Sequence, residues 1–168
     1  MHPFLRWLRT HHMSHDCMST RLRLPPSIAC SVRRPKGSTF YVLDCDRCSD
    51  FLKGQGRGRK RPDFLLFLER QGRLLIVVLE VTGGREVEPD KGEQIEHGLQ
   101  ILEEYLNADP GFIQSLDCEA FILHSGRVRT DDIRRLRRPF NFRRKALSPV
   151  VDRCGRLLNE LLMRWPKR

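Results

Sequence analysis

The sequence contains no run approaching the roughly 18–20 apolar residues that a membrane-spanning helix needs. Its N-terminal stretch HPFLRWLRT is also too short and too charged to be the hydrophobic region of a signal peptide. The first absence argues against a helical membrane protein, and the second predicts a chain that is not exported. We therefore expect a soluble protein of the cytoplasm with no membrane partner.

The cysteines form no regular framework. Six are present, and their irregular spacing without a secretory leader favours reduced thiols over disulfides. Cys45 and Cys48 form one Cys-x-x-Cys pair, but a four-ligand zinc site would need a second pair, which does not follow. Zinc is therefore not an expected cofactor. The chain has no internal repeat either.

Basic residues, in contrast, are abundant. Lys and Arg total 31 against 21 Asp and Glu, which gives a formal charge of +10 and a pI near 9.9. Such a balance predicts an anionic partner, of which nucleic acid is the obvious one. The length of 168 residues suits one domain. Residues 1–37 lack sustained periodicity and are expected to be a flexible or poorly ordered segment, so we expect the domain to span residues 38–168.

Two acidic residues interrupt the most apolar part of the chain, which runs from Lys60 to Gly84. A two-residue turn at Gln71-Gly72 would make this segment a β-hairpin and set Asp63 directly opposite Glu80. Opposed side chains have Cβ atoms about 4.5–5.5 Å apart, and like charges there repel. A divalent cation such as Mg²⁺ or Mn²⁺ would convert the repulsion into attraction. The pattern therefore predicts a metal site at the end of the hairpin, with arginine-paired carboxylates as the alternative.

The rest of the pattern predicts an α/β fold. The strand LLIVVLEVT is apolar on both faces, as is typical of a central strand covered on each side. The segment DKGEQIEHGLQILEEYL has one apolar stripe and reads as a helix, and a strand from Cys118 follows it in parallel. Because positions 91, 95, 98 and 102 share a helical face, Lys91 should point toward the sheet, with Gln94 beside it.

Shorter elements are predicted on either side of this unit. Phe40 and Val42 indicate a strand before the hairpin. After it we expect a short helix in RVRTDDIRRLRRP, a strand over FNFRRKALSPVV and a terminal amphipathic helix that carries four leucines.

Pro62-Asp63, followed after seventeen positions by Glu80-Val81-Thr82, resembles the PD-(D/E)XK nuclease superfamily. The resemblance implies the restriction-endonuclease-like fold, a central mixed β-sheet flanked by helices. It also implies a metal-dependent nuclease that hydrolyses phosphodiester bonds with Mg²⁺ or Mn²⁺, on DNA more than on RNA. Thr82 stands where the family normally has a lysine.

The resemblance further implies roles for particular residues. Asp63, Glu80 and the carbonyl of Val81 would hold the metal. Lys91, with Gln94 beside it, would replace the missing lysine from the following helix. Family members usually carry another acid upstream, for which Asp46 and Asp50 are the first candidates, together with Asp44. Dimerisation is common among such nucleases, so a homodimer is an open expectation.

Basic clusters flank these acids. A glycine-rich loop precedes Asp63, and two arginine clusters follow the predicted βαβ unit, with phenylalanines between them. Such groups would bind phosphates with little sequence preference. The predicted nucleic-acid-binding residues are Arg57, Arg59, Lys60, Arg61, Arg134, Arg135, Arg137, Arg138, Arg143, Arg144 and Lys145.

Two other readings of the sequence stay open. In the first, the chain is a catalytically inactive relative that keeps the nuclease fold and the basic surface as a nucleic-acid-binding or assembly module, a reading that Thr82 supports. In the second, it is a basic RNA-associated protein whose hairpin acids only form salt bridges. Metal binding and phosphodiester cleavage distinguish the three possibilities.

Overall fold

The computed structural model describes residues 1–11, 18–48, 61–83 and 90–166, and the statements below concern these ranges. A six-stranded sheet with the order β1-β2-β3-β4-β5-β8 runs through the molecule, and β6 and β7 form a separate two-stranded sheet. The elements in chain order are α1 (Pro3–His11), β1 (Met18–Ser19), β2 (Thr39–Asp44), β3 (Phe64–Arg70), β4 (Arg73–Thr82), α2 (Lys91–Leu106), β5 (Leu116–His124), α3 (Thr130–Leu136), β6 (Phe140–Phe142), β7 (Lys145–Leu147), β8 (Val150–Arg153) and α4 (Arg156–Arg164).

The large sheet is mixed. Neighbours from β1 to β4 are antiparallel, whereas β4–β5 and β5–β8 are parallel. The β4–α2–β5 unit is the parallel crossover that the sequence predicts. The fold is therefore α/β with a central mixed sheet flanked by helices.

The β3–β4 hairpin has the predicted register. Gln71 and Gly72 both have positive φ, 54° and 72°, which is the backbone that a tight hairpin turn requires. Arg70 consequently pairs with Arg73, and the ladder continues to Phe64 opposite Leu79. Both strands are buried along most of their length, because they lie in the middle of the sheet.

Alternation of side chains along the strands creates two apolar layers. On one face, β4 residues such as Ile76 and Val78 pack in the same cluster as Ile95 and Leu102 of α2. On the other face, residues such as Val77 pack with the leucines of α4. Helix α2 thus covers the face to which Glu80 also belongs, since Glu80 follows Val78 by two positions.

The N-terminal segment differs from the expectation that residues 1–37 are flexible or poorly ordered. Helix α1 lies within this range, and its Phe4, Leu5 and Leu8 have no solvent exposure and belong to the α2-side core. These residues recur at i, i+1 and i+4, which defines an apolar face over only nine residues. Because the face is so short and the intervening positions include arginine and histidine, the sequence pattern did not indicate a helix here.

Two further differences concern the C-terminal half and the cysteines. The predicted single strand over FNFRRKALSPVV is instead the β6–β7 hairpin followed by β8, with positive φ at Arg143 and Arg144 in the turn. Among the described residues, four cysteines carry free thiols, but Cys48 is disulfide-bonded, so the expectation of reduced thiols is wrong there. Within the described ranges, no helix is both long and apolar enough to cross a membrane.

Candidate active site

Asp63 and Glu80 face each other at the end of the hairpin, one position beyond the last paired residues of β3. The Asp63 backbone N–H donates to Glu80 Oε1 at 2.9 Å, and the Val81 backbone N–H donates to Asp63 Oδ2 at 2.8 Å. Each carboxylate is therefore held by the backbone of the opposite strand. This reciprocal arrangement fixes both side chains in one small volume.

Lys91, the first residue of α2, reaches the same volume. Its Nζ lies 3.0 Å from Glu80 Oε2, and the side chains of Lys91 and Glu80 are 12% and 0% exposed. The helical phase read from the sequence placed Lys91 on the sheet-facing side, and the structure agrees. Three separate segments thus bring two carboxyl groups and one ammonium group together.

Burial dominates the electrostatics of the two carboxyls. It raises the pKa of Glu80 to about 8, with the charge of Asp63 adding to the effect and Lys91 opposing it. Burial also raises the pKa of Asp63, against the Val81 N–H and Lys91. Burial removes both carboxyls from water and so disfavours their ionised forms, which explains the direction of both shifts.

Gln94 lies one helical turn from Lys91. Its Oε1 is buried and accepts no hydrogen bond from any described residue. A buried amide oxygen without a donor costs free energy unless a ligand satisfies it. The atom is therefore an unsatisfied amide oxygen in the first turns of α2.

Gly98 allows α2 to approach the segment that carries Asp63. A Cβ at position 98 would lie 2.7 Å from Pro62 Cγ and 2.9 Å from Val78 Cγ1, closer than real Cβ contacts. Only glycine fits between the helix and the proline without a shift. The close approach in turn sets how far Lys91 must reach to Glu80.

The remaining acid candidates lie less close to this centre. Asp46 is 72% exposed and forms an ion pair with Arg61 at 3.1 Å. Asp44 accepts backbone N–H groups of Asp46 and Arg47, as a turn-stabilising aspartate does. Asp50 lies outside the described residues.

Cys45 is a neighbour of the site that the sequence did not single out for this role. Its backbone N–H donates to the Asp63 carbonyl at 3.0 Å. Its thiol is buried, which raises its pKa, and Asp44, Glu80 and Asp63 add to that effect. The only signal in the sequence was the isolated Cys-x-x-Cys pair, which points to a different chemistry.

The two arginine clusters lie at different distances from the carboxylates. Phe140 reaches the first turn of α2, where its Cζ would be 3.7 Å from a Cβ at Gly92, so the cluster just before it lies near the Lys91 end. The Arg143 backbone N–H instead donates to Glu103 Oε1 near the other end of α2. Eleven residues of helix separate Gly92 from Glu103, or about 16 Å.

These contacts divide the predicted phosphate-binding residues. Arg134, Arg135, Arg137 and Arg138 are exposed on or just after α3, whereas Arg143, Arg144 and Lys145 lie toward the far end of α2. Arg61 is adjacent to the site but is paired with Asp46. Arg57, Arg59 and Lys60 lie outside the described residues.

Thr82 and Val81 complete the strand end. Thr82 is 8% exposed and pairs with His124 of β5. Among the described residues there is no group of three or more His, Cys, Asp or Glu side chains arranged to hold a metal ion. A cation here would therefore rely on two carboxylates together with carbonyl, amide or water oxygens.

Comparison of the chain with protein-family models, with curated proteins and with solved structures finds no match. The assignment of a function therefore depends on the geometry of the site.

Proposed function

We propose that this protein is a metal-dependent nuclease related to the PD-(D/E)XK superfamily and built on the restriction-endonuclease-like fold. The single observation that carries the proposal is the convergence of Asp63, Glu80 and Lys91, with Lys91 Nζ 3.0 Å from Glu80 Oε2. The superfamily motif expects two acids and a lysine, and this chain has threonine at the usual lysine position. The lysine of α2 supplies the missing positive charge from another element.

The residues present fit a divalent cation. Asp63 and Glu80 offer hard carboxylate oxygens, and a bound cation would stabilise their ionised forms, which burial disfavours by raising both pKa values. The buried, unsatisfied Oε1 of Gln94, three positions after Lys91 on α2, is a further candidate oxygen. Asp63, Glu80 and the Val81 carbonyl would hold Mg²⁺ or Mn²⁺, which supplies Lewis-acid polarisation of a phosphate oxygen and lowers the pKa of water.

The protein's own groups define what the site does to a substrate. Lys91 offers an ammonium to a phosphate oxygen and stabilises negative charge that develops on phosphorus. Its ion pair with Glu80 holds that ammonium in position before the substrate arrives. Gln94 orients a nucleotide or Lys91 through its free amide oxygen, and Thr82 contributes at most a hydrogen bond.

Nucleic acid is the substrate class that the charge supports, with DNA favoured over RNA. The exposed arginines at positions 134, 135, 137 and 138 lie toward the same end of α2 as Lys91 and would hold the phosphate backbone beside the carboxylates. Arg143, Arg144 and Lys145 lie toward the Glu103 end of α2 and would contact a more distant phosphate.

Cleavage of supercoiled plasmid and of single-stranded DNA and RNA, with Mg²⁺ or Mn²⁺ or with EDTA, tests the proposal. Wild-type protein should cut in metal and not in EDTA. Glu80→Gln and Lys91→Met should each lose about a hundredfold or more of the rate, as expected for groups that stabilise the transition state. Glu96→Gln, on the exposed side of α2, is the matched control and should keep full activity.

Calorimetry separates metal binding from catalysis. Titration with Mn²⁺ should release heat with wild-type protein and with Glu96→Gln, but not with Asp63→Ala. Equal metal-dependent cleavage by wild type and Glu80→Gln would refute the proposal that this protein is a nuclease with Glu80 at its active site.

A non-catalytic nucleic-acid-binding module is the second candidate, and one observation favours it. Thr82 fills the lysine position, and the ammonium of Lys91 already contacts a buried carboxylate, where it can serve folding alone. This alternative predicts DNA binding that weakens steeply with salt, with no cleavage in either metal. Binding of plasmid DNA without any nicking would support this non-catalytic alternative.

A further inference from the structure

The first half of β5 has an open edge. Strand β4 pairs with β5 along its whole length, from Leu116 to His124, whereas β8 pairs only with residues 121–124. Across the described ranges, no strand continues the sheet beside residues 116–120. Such an edge presents backbone N–H and C=O groups that can pair with another extended segment.

The sequence explains why the edge is left open. β7 ends at Leu147, and β8 begins at Val150 after Ser148-Pro149. Proline has no backbone N–H and is confined to strand ends and edges. The chain therefore joins the large sheet only at Val150, and β7 pairs with β6 instead.

A cleft of about 820 Å³ surrounds this edge. The β6–β7 hairpin forms one wall with Phe142 and Leu147, and α4 forms the other with Leu157, Leu161 and, at its C-terminal end, Trp165. The two walls correspond to the two faces of the sheet, since Phe142 belongs to the α2-side core and Trp165 to the α4-side core. A strand placed beside β5 would thus find apolar side chains on both of its faces.

The charge in the cleft indicates what such a strand must carry. Arg143 Nη1 is buried and has no hydrogen-bond partner within the described part of the chain. Lys145 and Arg164 add two further positive charges to the lining, and the acids Asp117, Glu119 and Glu160 also line it. Asp117 is already held by Arg73 and by Trp165 Nε1, and Glu160 lies beside Arg156. A carboxylate from outside would satisfy the planar guanidinium of Arg143.

We propose that this cleft binds an extended peptide segment of another protein, which adds a strand beside residues 116–120 and places an Asp or Glu side chain on Arg143. Backbone pairing supplies affinity, and the apolar walls select alternating aliphatic or aromatic side chains. Five residues of strand span about 16 Å, which sets the length of the recognised core. The inference does not depend on nuclease activity, because the cleft starts at Arg73, about 23 Å along β4 from Glu80.

Selection from phage-displayed random heptapeptides on the full-length wild-type protein tests the proposal. Enriched sequences should alternate apolar residues and contain at least one Asp or Glu. A synthetic peptide from the selection should bind in fluorescence anisotropy and lose about tenfold in affinity when its central amides are N-methylated, since these can no longer pair with β5. Arg143→Asn, which tolerates the positive φ of that position, should weaken binding about thirtyfold.

Two variants of α4 provide the matched control. Leu157 lines the cleft and is 39% exposed, and Met163 is 50% exposed on the same helix but does not line it. Neither substitution to Glu disturbs the core, so Leu157→Glu should abolish peptide binding and Met163→Glu should leave it unchanged.

Other occupants give different results, each of which overturns the proposal. Failure to enrich any peptide that distinguishes wild type from Leu157→Glu would refute it, as would enrichment of basic peptides or indifference to N-methylation. Sedimentation of wild type as a dimer that Leu157→Glu dissociates would assign the cleft to a second copy of the chain. Binding of a single-stranded oligonucleotide that Leu157→Glu abolishes would assign it to nucleic acid.

Discussion

Strand β4 carries one ion pair near each end, and the two pairs differ in burial more than in distance. At its first residue, Arg73 Nη2 lies 2.7 Å from Asp117 Oδ2, with the two side chains 42% and 40% exposed. Near its last residue, Glu80 lies 3.0 Å from Lys91, with exposures of 0% and 12%. Water screens the first pair and cannot screen the second. The longer contact is therefore the one that constrains the fold, and it lies at the candidate active site.

Breaking the buried pair should have the largest effect on stability. At pH 9.5, where Glu80 is ionised in the folded wild type, Lys91→Met removes the cation beside the buried carboxylates, which should cost about 3–5 kcal/mol of unfolding free energy. Urea denaturation in EDTA measures the loss. The variant should lose much less at pH 5, because Glu80 is then protonated in the folded protein.

The double variant Lys91→Met/Glu80→Gln serves as its control. With neither charge present, most of the lost stability should return, and the double-mutant cycle isolates the coupling between the two residues. A loss below about 1 kcal/mol for Lys91→Met at pH 9.5 would mean that solvent reaches the pair, as it does at Arg73 and Asp117.

The pH dependence of stability should show the next largest effect. Burial raises the pKa of Glu80 from 4.5 to about 8, so the folded protein binds this proton more tightly than the unfolded chain. The resulting stabilisation is complete below about pH 4.5 and is lost as the pH rises through about 8. In EDTA, the unfolding free energy should fall on the order of 2–4 kcal/mol between pH 5 and pH 8.5.

Glu80→Gln isolates the contribution of this carboxyl to the pH dependence. The unfolding free energy of Glu80→Gln should fall much less between pH 5 and pH 8.5 than that of wild type, because most of the predicted fall comes from Glu80. Addition of Mn²⁺ should restore wild-type stability at pH 8.5 but not that of Glu80→Gln, because a bound cation favours the ionised carboxylate. Parallel curves for the two proteins would contradict the raised pKa.

The geometry of the buried end could be predicted from local signals. The period of two residues along a strand and the Gln71-Gly72 turn fix the hairpin register, and the register alone brings Asp63 opposite Glu80. The helical period then fixes which side of α2 carries Lys91. Each step needs only neighbouring residues, so the sequence was sufficient.

The cleft end could not be predicted in the same way. The open edge of β5 depends on where β8 begins, and that start lies more than 25 residues from the edge it leaves uncovered. The role of Gly98 depends likewise on Pro62, a contact between distant segments. Helix α1 was missed because its apolar face is only nine residues long. Contacts between distant segments and very short apolar periods are hard to predict from a single sequence.

Two glycines of α2 differ in how closely they are packed, and their substitution should change stability less than the loss of the buried ion pair does. Gly98→Ala places a Cβ 2.7 Å from the rigid ring of Pro62, so the helix must shift, which should cost about 1–3 kcal/mol and reduce the proposed nuclease activity by moving Lys91. Gly92→Ala meets only Phe140 Cζ at 3.7 Å and should be neutral or up to about 1 kcal/mol more stable through helix propensity. Urea denaturation of both variants checks the contrast, which would fail if both gained stability.

Opening the exposed pair should have the smallest effect. Asp117→Asn removes the charge that faces Arg73 but keeps an oxygen that can accept from Trp165 Nε1, so the loss should be about 1 kcal/mol or less at low salt. In 1 M NaCl the difference from wild type should vanish, because the Debye length falls to about 3 Å. The loss in Lys91→Met should persist at that salt concentration, since salt screens a buried pair much less than an exposed one. A salt-independent loss of several kcal/mol in Asp117→Asn would show that the cleft end is as poorly solvated as the carboxylate end.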